Sequence, residues 1–231
     1  MRTISFDKKW EKNIYSQSRQ LNEYPYDLVV SIFANNFYRL KFGDRRKIKI
    51  LDLGCGAGNH AKFFAEQGFC AYGLDGSSSA VEHCREKFKK LGLAGDFCQG
   101  DFIALPYPDN YFNACLDRES LYANRLKDIK SAIAQVYKKL KPGGLFVIFM
   151  FNDFHPDKKL GEKIESRTYD NFKPGTSFYD SGKAHLASKN EVIKLLVKFK
   201  IKNIMRHSLT EVYSPTEELM QSDEYIIIAN K

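Results

Sequence analysis

The 231-residue chain has no run of about eighteen apolar residues, so nothing in it reads as a membrane-spanning helix. Its first residues, MRTISFDKKWEKN, lack the apolar core of a signal peptide. Cysteine is scarce and odd in number: Cys55, Cys70, Cys84, Cys98 and Cys115, with no pair at CxxC spacing. Four of the five lie in or beside apolar runs, where a free cysteine behaves as a small hydrophobe. A disulfide framework and a zinc site are therefore not expected, and no metal is assigned. There is no internal repeat, no low-complexity tract and no block of five or six like charges. The net charge of +8 is spread along the chain, which reads as a solvated surface more than a dedicated nucleic-acid face. These absences point to a reduced, cytoplasmic protein. What is present, 43% hydrophobic and 14% aromatic residues, is enough to bury one large core.

The first 45 residues read as a helical cap. In DLVVSIFANNFYRL the apolar residues Leu28, Val29, Ile32, Phe33 and Phe37 recur at helical spacing. From residue 46 an alternation begins. KIKILDLG, CAYGLD, DFCQGD, YFNACLD and LFVIFMF read as strands. NHAKFFAEQG, SSSAVEHCREKFKKLG and LKDIKSAIAQVYKKL read as helices, the second opening on a Ser79–Glu82 capping box. Strands separated by helices at this rhythm imply a parallel sheet covered on both faces. Residues 152–187 are irregular, rich in glycine, proline and aromatics, and read as a lid or acceptor-site insert. SKNEVIKLLVKF is a helix with a Ser188–Glu191 box. IKNIMRHSL and EYIIIAN then pair antiparallel at a sheet edge.

The loop after the first strand reads Gly54-Cys55-Gly56-Ala57-Gly58. A dinucleotide fingerprint would place its third glycine at Asn59, and a P-loop would continue with Gly-Lys-Ser/Thr. Both readings are weakened by the letters themselves. Taken alone, the loop could be a tight turn with no ligand. It is followed, however, by an acid at the end of each of the next three strands: Asp75, Asp101 and Asp117. In an open parallel sheet these ends line one crevice. Asp75 stands where an acid can accept bonds from ribose hydroxyls. Asp101 with Phe102 can offer an edge and a face to adenine. Each aspartate alone could equally cap a helix or a turn.

From Lys47 to Phe151 the order and spacing of ILDLGCGAG, AYGLDGSS, GDFIALPYPD, CLDRES and LKPGGLFVIF resemble the class I S-adenosylmethionine-dependent methyltransferases. The resemblance implies a Rossmann-like, doubly wound α/β fold. Its seven-stranded sheet would be mostly parallel with an antiparallel last strand, and N-terminal cap helices would be added to it. The implied cofactor is S-adenosylmethionine, with S-adenosylhomocysteine as product. Asp52, Gly54, Cys55 and Gly56 would face its methionine part, Asp75 and Gly76 the ribose, Asp101 and Phe102 the adenine. Backbone at Asp117 and Arg118 would meet the methionine amino group. The N-terminal WEKNIYSQSRQLNEYPYD is more loosely similar to cap helices of small-molecule members in surface-polysaccharide and secondary-metabolite pathways. There Tyr15 and Arg19 would close over the cofactor, Arg19 on its carboxylate; alternatively Trp10 and Tyr15 only pack the cap.

Methyl transfer from a sulfonium is an in-line displacement with a neutral leaving group, so positioning and dryness carry much of it. A base is needed only for an acceptor that must lose a proton. Glu119 and His155 are the first candidates, with His60 and His185 behind them. Tyr122, Asn152, Tyr169 and Tyr179 are candidates to line the acceptor pocket. DRES stands where nucleic-acid amino methyltransferases carry Asn/Asp-Pro-Pro-Tyr/Phe, which disfavours a nucleic-acid partner. The positive charge suits a small anionic acceptor, such as a sugar, nucleotide-linked or phosphoryl intermediate of surface-glycan assembly. An RNA methyltransferase and a non-catalytic S-adenosylmethionine-binding partner protein are the alternatives. Nothing in the sequence fixes the oligomeric state.

Overall fold

The structure, a computed structural model, describes residues 5–213 and 221–231. A wide turn at Trp10–Ile14 and a tight one at Tyr15–Gln17 open the chain, which then runs extended to Tyr26. The regular elements follow as α1 (Asp27–Phe37), α2 (Phe42–Arg45), β1 (Lys49–Leu53), α3 (Asn59–Glu66), β2 (Cys70–Asp75), α4 (Ser78–Leu91), β3 (Gly95–Gln99), β4 (Phe112–Arg118), α5 (Leu126–Lys139) and β5 (Leu140–Phe151). After these come β6 (Glu162–Glu165), β7 (Thr168–Asp170), β8 (Ala184–His185), α6 (Lys189–Leu195), β9 (Lys200–Thr210) and β10 (Gln221–Asn230). Among the described residues no helix is long and apolar enough to cross a membrane.

Seven strands form one sheet in the order β3-β2-β1-β4-β5-β10-β9. All its pairs are parallel except those of β10, which runs antiparallel to both β5 and β9. This is the doubly wound sheet expected from the alternation. Side chains alternate across a strand, so an all-apolar strand feeds two cores. On β5, Phe146, Ile148 and Met150 pack towards α5, while Leu145, Val147 and Phe149 pack towards α1, α3 and α4. The strand order reverses between β1 and β4, and there the carboxyl ends of β1 to β4 diverge into a crevice.

Two local readings change. Within the expected cap, Asp27–Phe37 and Phe42–Arg45 are helical. Val29, Ile32 and Phe33 of α1 join the same core as Phe64, and residues 5–26 form a strap across the crevice. The N-cap of α4 is Ser77, whose Oγ accepts from Ala80 N–H at 3.0 Å. Ser79 instead donates through its hydroxyl to Glu11 of the strap at 2.5 Å. The insert is not irregular throughout: β6, β7 and β8 make a small antiparallel sheet, turned by Arg167 at φ 59°. Lys9–Asp170 and Lys183–Asp7 ion pairs tie this sheet to the strap. The Ser188 cap of α6 is as read, with its Oγ accepting from Glu191 N–H at 3.3 Å.

Candidate active site

A cavity of about 590 Å³ opens at the ends of β1 to β4, with the strap for its roof. Its floor is the glycine loop. Gly54, Gly56 and Gly58 have φ of 72°, 50° and 80°, a region that favours glycine. Space imposes the same requirement. A Cβ on Gly54 would lie 2.5 Å from Ser120 Oγ, and one on Gly56 would lie 2.6 Å from Tyr15 Oη. The glycines therefore let Ser120 and Tyr15 pack directly on the loop, whose backbone at Gly54 and Gly56 lines the cavity.

Asp75 and Asp101 both line the cavity. Asp75 accepts from Gly56 N–H and Ser77 N–H, each at 2.9 Å. Burial, the largest influence, pushes its carboxyl up to about 6 against those hydrogen bonds. Asp101 accepts from Ser5 N–H at 2.6 Å, from Ser5 Oγ–H, and from Ile103 N–H at 3.1 Å. The strap thus holds the third-strand acid itself. A Cβ on Gly76 would collide with the Phe6 ring, so the strap also lies flat on the loop after β2. Cys55, Gly76 and Phe102 line the cavity as well, as do Trp10, Tyr15 and Tyr122. Trp10 Nε1 and Asn124 Oδ1 are buried in its wall with no hydrogen-bond partner, a donor and an acceptor left for a polar ligand.

Several sequence-expected residues stand elsewhere. Asp52 is buried beneath the loop and accepts from Ala61 N–H at 3.2 Å, so it holds the start of α3. Burial pushes it up to about 8. Asp117 accepts from Ser120 Oγ–H, Ser120 N–H and Leu121 N–H, fixing the turn after β4. Burial raises it to about 7. Neither lines the cavity. Arg19 is exposed and donates to the Asn13 carbonyl at 3.2 Å, folding back on the strap rather than reaching a ligand carboxylate. His155 is buried between Phe151 and Phe178, where its Nδ1 accepts from Asp157 N–H at 3.3 Å and caps a short turn. It has no face on the cavity, and burial holds it neutral. Tyr169, Tyr179 and Asn152 also lie outside the lining, as does His185, which is held between Thr168 and Glu191.

Beside the loop the cavity has a charged end. Arg118 and Glu119 form an ion pair, and the Arg118 guanidinium lies 4.1 Å from the Tyr26 ring centroid. Glu224 on β10 adds a further acid to that end, its Oε1 meeting His207 Nδ1 at 3.1 Å. Burial pushes Glu119 up to about 7, with Arg118 opposing and Glu224 adding to the rise. His60 lines the cavity, but its Nε2 accepts from Tyr26 N–H at 3.2 Å. Burial and then Arg118 push it down to about 3, leaving it neutral and engaged.

Residues 50–144 match the methyltransferase domain family. Squalene methyltransferase 1 of Botryococcus braunii is 31% identical over 172 residues, 71% of this chain and 43% of that protein. A fatty-acid O-methyltransferase of Mycolicibacterium smegmatis is 33% identical over 149 residues, 64% of this chain and 49% of that protein. The chain spans less than half the length of either. The solved 1,6-didemethyltoxoflavin-N1-methyltransferase of Burkholderia thailandensis has S-adenosylhomocysteine bound. It shares the fold at a TM-score of 0.66 and 19% identity, over 94% of this chain and 83% of that one.

Residues 50–144 of the chain are a methyltransferase domain, of the class I S-adenosylmethionine-dependent kind.

The cavity fits S-adenosylmethionine, the cofactor of that domain class. The glycine loop, two strand-end carboxylates on one wall and the orphaned Trp10 and Asn124 atoms suit an adenosine with a short charged tail. The sequence did not single out Ser5, Phe6, Tyr26, Ser120 or Glu224. Glu224 had a readable signal: Asp223-Glu224 opens a strand that is otherwise apolar. Ser5 and Phe6 had none, because their partners, Asp101 and Gly76, lie far along the chain.

Proposed function

We propose that the chain transfers the methyl group of S-adenosylmethionine to a small acceptor with an apolar body and no phosphoryl group. One observation carries this reading: a single cavity joins the glycine loop, Asp75 and Asp101 to the buried Glu119. S-adenosylmethionine would supply an electrophilic methyl on a sulfonium. In this reading Asp75 orients the ribose, Asp101 the adenine, and Gly54 to Gly56 admit the methionine end. Tyr15 and the strap exclude water, so acceptor and methyl are held in line and dry. Glu119 takes the acceptor's proton.

The acceptor class follows from the lining. Asp7, Glu23, Asp75, Asp101 and Glu119 are acidic, and the cationic side chain among the lining residues, Arg118, is paired with Glu119. A phosphorylated sugar or an RNA backbone would meet net negative charge there. Tyr24, Tyr26, Tyr122, Phe151 and Phe178 supply apolar faces instead. The similar proteins are named for squalene and for fatty acids, which favours an apolar body over the surface-glycan intermediate expected from the sequence.

Incubation with methyl-deuterated S-adenosylmethionine and a mixed acceptor panel tests the reading by mass spectrometry. Label is expected in fatty-acid, sterol or triterpene pools, with equimolar S-adenosylhomocysteine. Label confined to phosphosugars or RNA would overturn the acceptor class. Tight cofactor binding with no S-adenosylhomocysteine released across the panel would favour a non-catalytic role.

A further inference from the structure

The lining of the active-site cavity is acidic, so the chain's net charge of +8 is carried elsewhere. Part of it gathers where α5 and α6 pack on one face of the sheet. There Ile129, Ile133 and Val136 of α5 share a core with Val192 and Leu196. Between the two helices lies a groove of about 620 Å³. It is lined by Lys130 of α5, by Lys194 and Lys198 of α6 and the turn after it, and by Arg167. Glu191 is the acidic side chain in this lining, and it is engaged by His185 at 3.0 Å and by Arg167 at 3.9 Å. The three lysines are exposed, and among the described residues none of them has an acidic partner.

The same surface exposes aliphatic side chains. Ile193 is 43% exposed and Val197 80% exposed, while Val192 and Leu196 beside them are buried. Residues 189–198 are therefore two-faced. One side packs on the sheet, and the other sets Ile193 and Val197 among Lys189, Lys194 and Lys198. A partner that suits this surface must accept both its charge and its aliphatic groups. An anionic bilayer does so, taking apolar side chains in at headgroup level and attracting lysines through its surface potential. A nucleic acid would use the lysines only, since it binds side chains that stack or hydrogen-bond, and Ile193 and Val197 do neither.

We propose that the face built by α5 and α6 docks on the surface of an anionic lipid bilayer, with Ile193 and Val197 seated among the headgroups and Lys130, Lys194 and Lys198 on the lipid phosphates. Its use to the enzyme rests on the reading of the acceptor as an apolar molecule, which a bilayer dissolves and water does not. Leu126 of the groove stands shortly after Asn124 of the cavity wall, so a few residues of chain join the docked face to the cavity. The charges divide the work. The acidic cavity turns phosphoryl groups away, and the basic face holds the chain where an apolar acceptor is concentrated.

Co-sedimentation with vesicles tests the docking face, using phosphatidylcholine alone and phosphatidylcholine mixed with an equal part of phosphatidylglycerol. The full chain is expected to bind the mixed vesicles about a hundredfold more tightly, at about fivefold for each of three lysines, and less so as salt rises. Lys194→Gln with Lys198→Gln is expected to weaken that binding about thirtyfold. Ile193→Ser with Val197→Ser is expected to weaken it about threefold or more. Lys89→Gln with Lys90→Gln, on α4 across the sheet, is expected to stay within about twofold of wild type. All six positions are exposed, so the fold is kept. No binding to the mixed vesicles, or an equal loss in the α4 and α6 lysine pairs, would overturn the docking face. Unchanged binding in either α6 double variant would overturn it too. Transfer to an acceptor dispersed in detergent is expected to stay within about twofold in every variant. Absence of that transfer in wild type, with vesicle binding intact, would remove the acceptor reading and leave the docking face standing.

Discussion

Replacing Asp75 with asparagine is expected to weaken S-adenosylmethionine binding about a hundredfold or more, while the protein gains stability at pH 7. The two effects have one cause. Asp75 is buried at the end of β2, accepting only backbone N–H bonds from Gly56 and Ser77. Its carboxyl is raised from 3.8 to about 6, with burial as the leading cause. A carboxyl with a raised folded-state pKa stabilises the fold fully only below its unfolded value. That stability is lost as pH rises through about 4 to 6, because the folded state binds more protons across that window. At pH 7 the charge is therefore a net cost to the empty protein. An asparagine keeps one acceptor oxygen for a neighbouring N–H and carries no charge. The expected gain is on the order of 1–2 kcal/mol, read as a raised Tm. The same exchange removes charge-assisted bonds to two ribose hydroxyls, each worth about 1.5–3 kcal/mol, which sets the binding loss. An Asp75→Asn protein that binds normally would remove Asp75 from the site. One that is destabilised at pH 7 but not at pH 5 would contradict the raised pKa.

Gly54→Ala is expected to have the largest effect on the fold itself. Gly54 has φ 72°, and a Cβ there would press into Ser120, 2.5 Å from its Oγ. Ser120 cannot easily yield, since its hydroxyl is held between the Leu53 carbonyl, at 2.7 Å, and the Asp117 carboxyl. Backbone strain of about 1–3 kcal/mol and overpacking of about 1–3 kcal/mol add to a loss of roughly 2–6 kcal/mol. Denaturant unfolding measures it. The double variant Gly54→Ala with Ser120→Gly removes the collision but not the strain, so it is expected to recover about half of the loss. A Gly54→Ala protein within about 0.5 kcal/mol of wild type would mean that the close approach is not required.

The sheet was legible because its signal is local. Each apolar strand text, with its turn and its helix, specifies a βαβ unit on its own, and the glycine loop and strand-end acids follow from that register. Asp52 and Asp117 show where the letters mislead. At a strand end, an acid that holds the next helix or turn and an acid that meets a ligand look alike. Both are buried, and what separates Asp52 from Asp75 is that only Asp75 lines the cavity. Arg19 and His155 were chosen for chemistry without knowledge of direction, and the folded chain turns both away from the cavity. The strap was the least readable part. Its contacts, Ser5 to Asp101, Glu11 to Ser77 and Lys9 to Asp170, span large sequence separations and follow no periodicity. Glu224 belongs to the same class, placed near the cavity's charged end only because β10 closes the sheet beside β5.

The glycine loop admits three kinds of ligand by its composition, and a single side-by-side titration separates them. The purified chain is titrated with S-adenosylhomocysteine, NAD and ATP, and heat or intrinsic fluorescence is followed. S-adenosylhomocysteine is expected to bind with a Kd in the micromolar range, at about one site per chain, with no measurable binding of NAD or ATP at millimolar concentration. Binding of NAD or ATP without S-adenosylhomocysteine, or no binding of any of the three, would contradict the assignment of this cavity.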